Sequence, residues 1–133
     1  VGSEMCIRDR LKQPQNVVQY VNGTEAREGI YWEEYLDTKD KYSVYLGGNR
    51  GVDVVKNADV TNGRKLLILK DSYANSMIPF LMTNFSEIHL IDLRYYNFNV
   101  YDYIEEQGIT DAAAIYSVKQ LCDVSIANKL IVR

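Results

Sequence analysis

Histidine is nearly absent from this chain: its 133 residues hold one, His89, alongside two cysteines, two prolines and a single tryptophan. So few imidazoles and thiols, with no ligand spacing between them, point away from a metal site, and no cofactor-binding motif stands in for one. No stretch approaches the ~18 consecutive apolar residues of a membrane-spanning helix. A basic excess is missing too: 15 Lys and Arg against 18 Asp and Glu leave a net charge of -3, which argues against nucleic acid as a partner. What is present is ordinary for a globular protein, with 47% hydrophobic and 25% charged residues, enough for one domain or a piece of a larger one. Tyrosine is plentiful at eleven residues. Stacking on sugars is one use for so many rings, and half-buried positions on strands and helices are the commoner one.

The first ten residues, VGSEMCIRDR, have no helical or strand periodicity. Back-translated, they resemble a transposase-type sequencing adaptor. The expectation is an unpacked, non-native tail at 1–10, with Met5, Cys6 and Ile7 outside the core. Setting it aside leaves Cys122 as the sole cysteine and excludes an intrachain disulfide; Glu4 and Asp9 cancel Arg8 and Arg10, so the charge is unchanged. Residues 11–133 are then expected to be the C-terminal part of one α/β domain, whose N-terminal part, with any signal or anchor, lies upstream.

Along that domain, NVVQYV at 16–21 followed by Asn22-Gly23 reads as a strand and turn. Tyr31, Trp32, Tyr35 and Leu36 recur at helical spacing, and 42–46 fits either a short helix or a strand. Three glycines within 47–51 make a loop before the short strand VDVVK at 52–56. The pattern then sharpens. Leu66 to Leu69 is a continuous aliphatic run, as in a strand buried on both faces. Met77, Phe80, Leu81 and Phe85 mark a helix at 76–85, provided Pro79 lies in its first turn. A strand at 87–93, a helix at 99–107 capped by Asn99 and closed by Gly108, and a strand at 112–118 follow. A loop and short helix complete 119–130. Strand–helix alternation with short connections predicts right-handed βαβ units and a parallel sheet.

LLILKDSYANSMIPFL at 66–81 carries the chemistry. Ser72 follows the buried strand and opens a helix, at the carboxyl edge of the sheet where α/β proteins bind ligands. Two readings stay open: Ser72 is a nucleophile whose N–H and helix dipole help hold an oxyanion, or it simply caps the helix. A nucleophile needs a base within ~3 Å, and His89 sits in mid-strand, where packing against a helix is its expected role. The loop Gly47-Gly48-Asn49-Arg50-Gly51 is either a second source of oxyanion donors, through a backbone N–H or the Asn49 amide, or a plain turn; it is too short, and lacks the following helix, for a phosphate loop. In DLRYYNFNV at 92–100, Asp92 and Arg94 either pair with each other or leave Arg94 to hold a ligand, beside Tyr95 and Tyr96 as candidate sugar-facing rings. A receiver-like signalling domain, with Asp71 or Asp92 as phosphoacceptor, fails because the first strand lacks the required acidic cluster.

VYLGGN, KLLILKDSYANSMIPFL, EIHLIDLRYYN and YIEEQGITD, in that order, resemble the C-terminal part of the bacterial proteins named for an Asp-His-His-Trp motif, the DHHW family. These look like relatives of the SGNH-hydrolase-like proteins of alginate O-acetylation. The resemblance spans roughly residues 17–130 and implies a flavodoxin-like three-layer α/β sandwich. It implies Ser72 as nucleophile and puts Arg94 and Tyr95 in a motif near the active site; Gly48, Asn49 and Tyr73 join them as candidate oxyanion or substrate-binding residues. The Asp–His partner would come from an upstream segment that this sequence does not contain. By the same resemblance the parent is an extracytoplasmic or cell-surface enzyme, without cofactor, moving acetyl groups on a polysaccharide, and this fragment alone is inactive. The competing reading is a non-catalytic cell-surface module that binds glycan.

Overall fold

The computed structural model describes residues 16–123 and 128–129. The expected tail at 1–10 and much of the stretch after 123 lie outside the described residues. Six strands form one open sheet: β1 (Val17–Val21), β2 (Glu25–Glu28), β3 (Val52–Asn57), β4 (Lys65–Lys70), β5 (Glu87–Ile91) and β6 (Asp111–Ile115), in the spatial order β2-β1-β3-β5-β4-β6. Pairing is parallel between β4 and β5 and between β4 and β6, as the strand–helix alternation predicts.

The other half corrects the expectation of a parallel sheet. β3 runs antiparallel to both β1 and β5, and β2 antiparallel to β1, so the sheet is mixed. The β1–β2 connection is a tight turn, with Gly23 at φ +76° donating its N–H to Tyr20, and a hairpin turn imposes antiparallel pairing. β2 itself, EARE, has no apolar alternation and lies exposed at the sheet edge, which is why its sequence carries no strand signal.

Alternation along the strands feeds two apolar layers. Leu66, Ile68, Ile88, Leu90 and Val55 pack on one face with Leu36, Val44, Ile78 and Met82 from the helical segments. Leu67 and Ile91 pack on the other with Leu93, Tyr96 and Val100, under Tyr103 and Ile104 of a helix. These helices are short. Residues Glu33–Asp37 and Lys41–Val44 are 3-10 turns, which decides the ambiguity at 42–46 in favour of a helix. The expected helix at 76–85 is instead a 3-10 segment, Ser72–Met77, followed by the single turn α1 (Ile78–Leu81) with Pro79 in its first turn. Its buried side is Ala74, Ile78 and Met82; Met77 and Phe80 face outward. The helix α2 (Val100–Gln107) has the expected ends: Asn99 accepts the Tyr101 N–H, and Gly108 takes the left-handed φ of +64°. A short α3 (Val118–Leu121) follows β6. Among the described residues no helix is long and apolar enough to cross a membrane.

Candidate active site

The mixed pairing determines what meets at the edge holding Ser72. Because β3 is antiparallel to β5, the start of β3 lies beside the end of β5: Val52 faces Ile91, and Ile91 faces Leu69 of β4. The glycine loop that enters β3 therefore stands next to the segments leaving β4 and β5. Its Gly51 carbonyl accepts the Asp92 N–H, and Asn49 Oδ1 accepts from Lys70 Nζ at 3.2 Å and from Asn75 Nδ2 at 3.3 Å. Gly48, Asn49, Ser72, Tyr73, Arg94 and Tyr95 thus share one edge of the sheet.

At the centre, Asp71 rather than Ser72 caps the 3-10 segment. Asp71 Oδ1 accepts the Tyr73 N–H at 2.9 Å and Oδ2 accepts the Ser117 N–H at 2.7 Å, tying the β4 exit to the chain beyond β6. Burial raises the Asp71 carboxyl, but the Ser117 and Tyr73 N–H groups outweigh it and hold the pKa below its usual value. Ser72 is half-buried, and among the described residues its hydroxyl takes part in no hydrogen bond. The backbone beneath it is clamped from outside: Tyr42 donates its hydroxyl to the Ser72 carbonyl at 2.8 Å and shares it with the Tyr73 carbonyl at 3.1 Å. Tyr42 is a site residue that sequence reasoning passed over. Thirty positions separate it from Ser72, and no local signal announces the contact.

The glycine loop is held by a buried polar network. Gln19 donates to the Leu46 carbonyl and to Asp53, while Arg50 donates to the Leu46 and Gly47 carbonyls and pairs with Asp53 at 3.1 Å. Burial raises the Asp53 pKa against the Asn22 N–H, Arg50 and Gln19, which lower it. Gly47, at φ +71°, is required sterically as well, because a Cβ there would stand 2.5 Å from the Trp32 ring. The two terminal nitrogens of Arg50 are engaged in this scaffold, whereas Asn49 is exposed.

After β5, Arg94 forms a forked pair with Asp92, Nε to Oδ1 at 2.9 Å and a terminal nitrogen to Oδ2 at 2.6 Å; Asp92 is fully buried. The pair uses one edge of the guanidinium and leaves Arg94 exposed on the other. Tyr73 and Tyr95 are 71% and 56% exposed beside it. Tyr96, expected to face a sugar with Tyr95, is instead buried in the apolar layer over Ile91 and Leu93.

His89 is far from this edge. It lies 1% exposed opposite Leu67, and three residues of strand at ~3.3 Å each put about 10 Å between that level and Lys70. Its ring nitrogens are occupied by the Tyr103 hydroxyl at 2.8 Å and Glu87 at 3.2 Å. Burial lowers its pKa, with Glu87 opposing, and burial pushes Tyr103 up to about 12. Among the described residues nothing else offers an imidazole, and no three His, Cys, Asp or Glu side chains converge as a metal site.

Known structures share this fold. A crystal structure of a DHHW family protein from Eubacterium siraeum DSM 15702 is 28% identical with a TM-score of 0.70, over 92% of this chain and 42% of that one. Bacillus cereus PatB1 is 27% identical with a TM-score of 0.66, over 84% of this chain and 38% of PatB1, and a second PatB1 structure, with a sulfonyl adduct, matches equally well. The chain spans less than half the length of these relatives. No curated protein matches it. The family pattern of the DHHW proteins runs over residues 12–91, more than half of the sequence, so this chain belongs to the DHHW protein family.

Proposed function

We propose that this chain carries the nucleophile side of an acyl-ester site, acting in acetyl transfer to, or deacetylation of, a cell-surface polysaccharide. One observation carries the reading: the cap that would explain Ser72 structurally is supplied by Asp71, which leaves the Ser72 hydroxyl unbonded among the described residues at a sheet edge shared with Asn49 and Arg94. Ser72 Oγ would attack the ester carbonyl as a base takes its proton. The alkoxide of the acetyl donor, or of the sugar in deacetylation, would leave with that proton, and the acetyl-serine would pass its acetyl group to a sugar hydroxyl or to water. Asn49 and the backbone at the head of the 3-10 segment supply donors for the oxyanion. Arg94 and the rings of Tyr73 and Tyr95 line the approach for a hydroxylated chain.

The base is the Asp–His pair of a segment outside this sequence, since His89 is buried and committed. On this reading the sheet is of the flavodoxin-like SGNH type, and the parent works outside the cytoplasm. That a PatB1 structure bears a sulfonyl adduct is in keeping with a reactive nucleophile in a similar protein. The exposed Tyr73 and Tyr95 favour a second reading as well, a glycan-binding module without turnover.

Turnover of p-nitrophenyl acetate separates the two. The 133-residue chain is expected to show none, because losing a triad member costs several orders of magnitude in rate. A reading frame extended upstream to an Asp-His-His-Trp segment is expected to turn over the ester and to lose that activity in Ser72→Ala. Activity surviving Ser72→Ala in the extended protein would remove Ser72 as nucleophile. Glycan binding by the extended protein without any turnover would establish the module instead.

A further inference from the structure

We propose that Lys70 is a positioning residue whose buried ammonium sets the orientation of the Asn49 carboxamide, turning its NH2 group toward the space beside Ser72. The inference rests on the nucleophile reading of Ser72 only for the use made of that NH2 group, not for its orientation.

The orientation follows from what an ammonium can do. A lysine head group has three donors and no acceptor, so any partner at hydrogen-bond distance must present oxygen. Lys70 is 3% exposed, and its Nζ lies 3.2 Å from Asn49 Oδ1 and 2.7 Å from Asn75 Oδ1. Neither carboxamide can flip without pointing NH2 at a buried cation. Asn75 then turns its own NH2 to Asn49 Oδ1, so that oxygen receives two donors. Asn49 is exposed, and its Nδ2 makes no hydrogen bond among the described residues. A charge-assisted bond to the oxygen also polarises the amide and strengthens its N–H groups as donors.

The location is informative as well. Lys70 and Asn75 bracket Ser72 in the chain, and Asn49 reaches over from the glycine loop to both. Burial lowers the Lys70 pKa; the charges of Asp92, Asp53 and Asp71 oppose that and Arg94 adds to it. A lysine kept here only to neutralise those carboxylates would have no need of two amide oxygens.

Carbon-detected NMR on the isotope-labelled 133-residue chain tests this without any activity. In the wild type, the Asn49 Cγ shift is expected to titrate with the same midpoint as Lys70 Cε, and the Asn49 side-chain amide to be as rigid as the backbone at neutral pH. In Lys70→Met that rigidity is expected to fall to the level of the exposed Asn22 side chain, and Lys70→Arg to restore part of it. An Asn49 side chain that is mobile in the wild type, or blind to the Lys70 midpoint, overturns the proposal even if Lys70→Met fails to fold. Methylphosphonate, a stable tetrahedral anion, supplies the second arm. Shifts at the Ser72 N–H and Asn49 Nδ2, with the latter lost in Lys70→Met, support both positioning and use. A rigid, Lys70-linked Asn49 that ignores methylphosphonate sinks the oxyanion role and leaves the positioning intact.

Discussion

Replacing Asp71 and replacing Ser72 should have very unequal consequences for stability, although the residues are adjacent. Asp71→Ala removes two acceptors at once, from the Tyr73 N–H at 2.9 Å and the Ser117 N–H at 2.7 Å, at a residue 2% exposed. Loss of a helix cap costs about 1–2 kcal/mol, and a second buried N–H left without its partner costs about 1–2 kcal/mol more. The expected loss is therefore about 2–4 kcal/mol. In urea, with a slope of about 1.5 kcal/mol/M for a domain of this size, the unfolding midpoint should fall by roughly 1.3–2.7 M. Asp71→Asn keeps one acceptor and should lie between. Ser72→Ala removes a hydroxyl bonded to nothing among the described residues and should stay within about 0.5 kcal/mol of the wild type. The acid dependence has a definite sign. The Asp71 carboxyl titrates below its ordinary 3.8 in the fold, so its contribution is complete above that value and is lost as pH falls through the depressed one. The gap between wild type and Asp71→Ala should close below about pH 4. A neutral Asp71→Ala together with a costly Ser72→Ala would show that serine is the cap, and the case for a free nucleophile would fall with it.

Gly47→Ala should cost about 2–4 kcal/mol by urea titration, from left-handed strain and displacement of Trp32, whereas Gly63→Ala, at φ +70° with nothing within 4 Å, should cost only the strain, about 1 kcal/mol. Equal losses would refute the steric account. Burial lowers the His89 pKa, so folding excludes a proton there: stability should be complete above pH 6.5 and decline as pH falls from 6.5 toward the depressed folded value. Thermal midpoints across pH 7.5 to 5.0 should show a shallower decline in His89→Gln; an unchanged slope would assign it elsewhere. Arg94→Ala leaves Asp92 buried without its forked partner and should cost about 2–4 kcal/mol, with Arg94→Lys in between because an ammonium cannot reproduce the fork. Equal stability of Lys and Arg at 94 would mean that the fork contributes little.

Elements governed by near neighbours were legible in the sequence. The aliphatic run of β4, the Asn99 cap and Gly108 turn of α2, and the parallel pairing of β4 with β5 all arise from contacts a few residues apart or from a short crossover. Ser72, Asn49 and Arg94 could be singled out for the same reason, as polar groups at the ends of apolar strands or within a glycine turn. Tertiary structure decided the rest. Nothing within EARE marks β2 as a strand, because an exposed edge strand needs no apolar face. The direction of β3 follows from its place between β1 and β5, and that direction alone brings the glycine loop to the Ser72 edge. Asp71 and Ser72 are both competent caps by residue type, and the Ser117 N–H, 46 positions away, favours the aspartate. Tyr42 on the Ser72 carbonyl and Lys70 on Asn49 likewise span 30 and 21 positions. Residue type says what a side chain can bond, but over such separations only the folded chain determines which partner it meets.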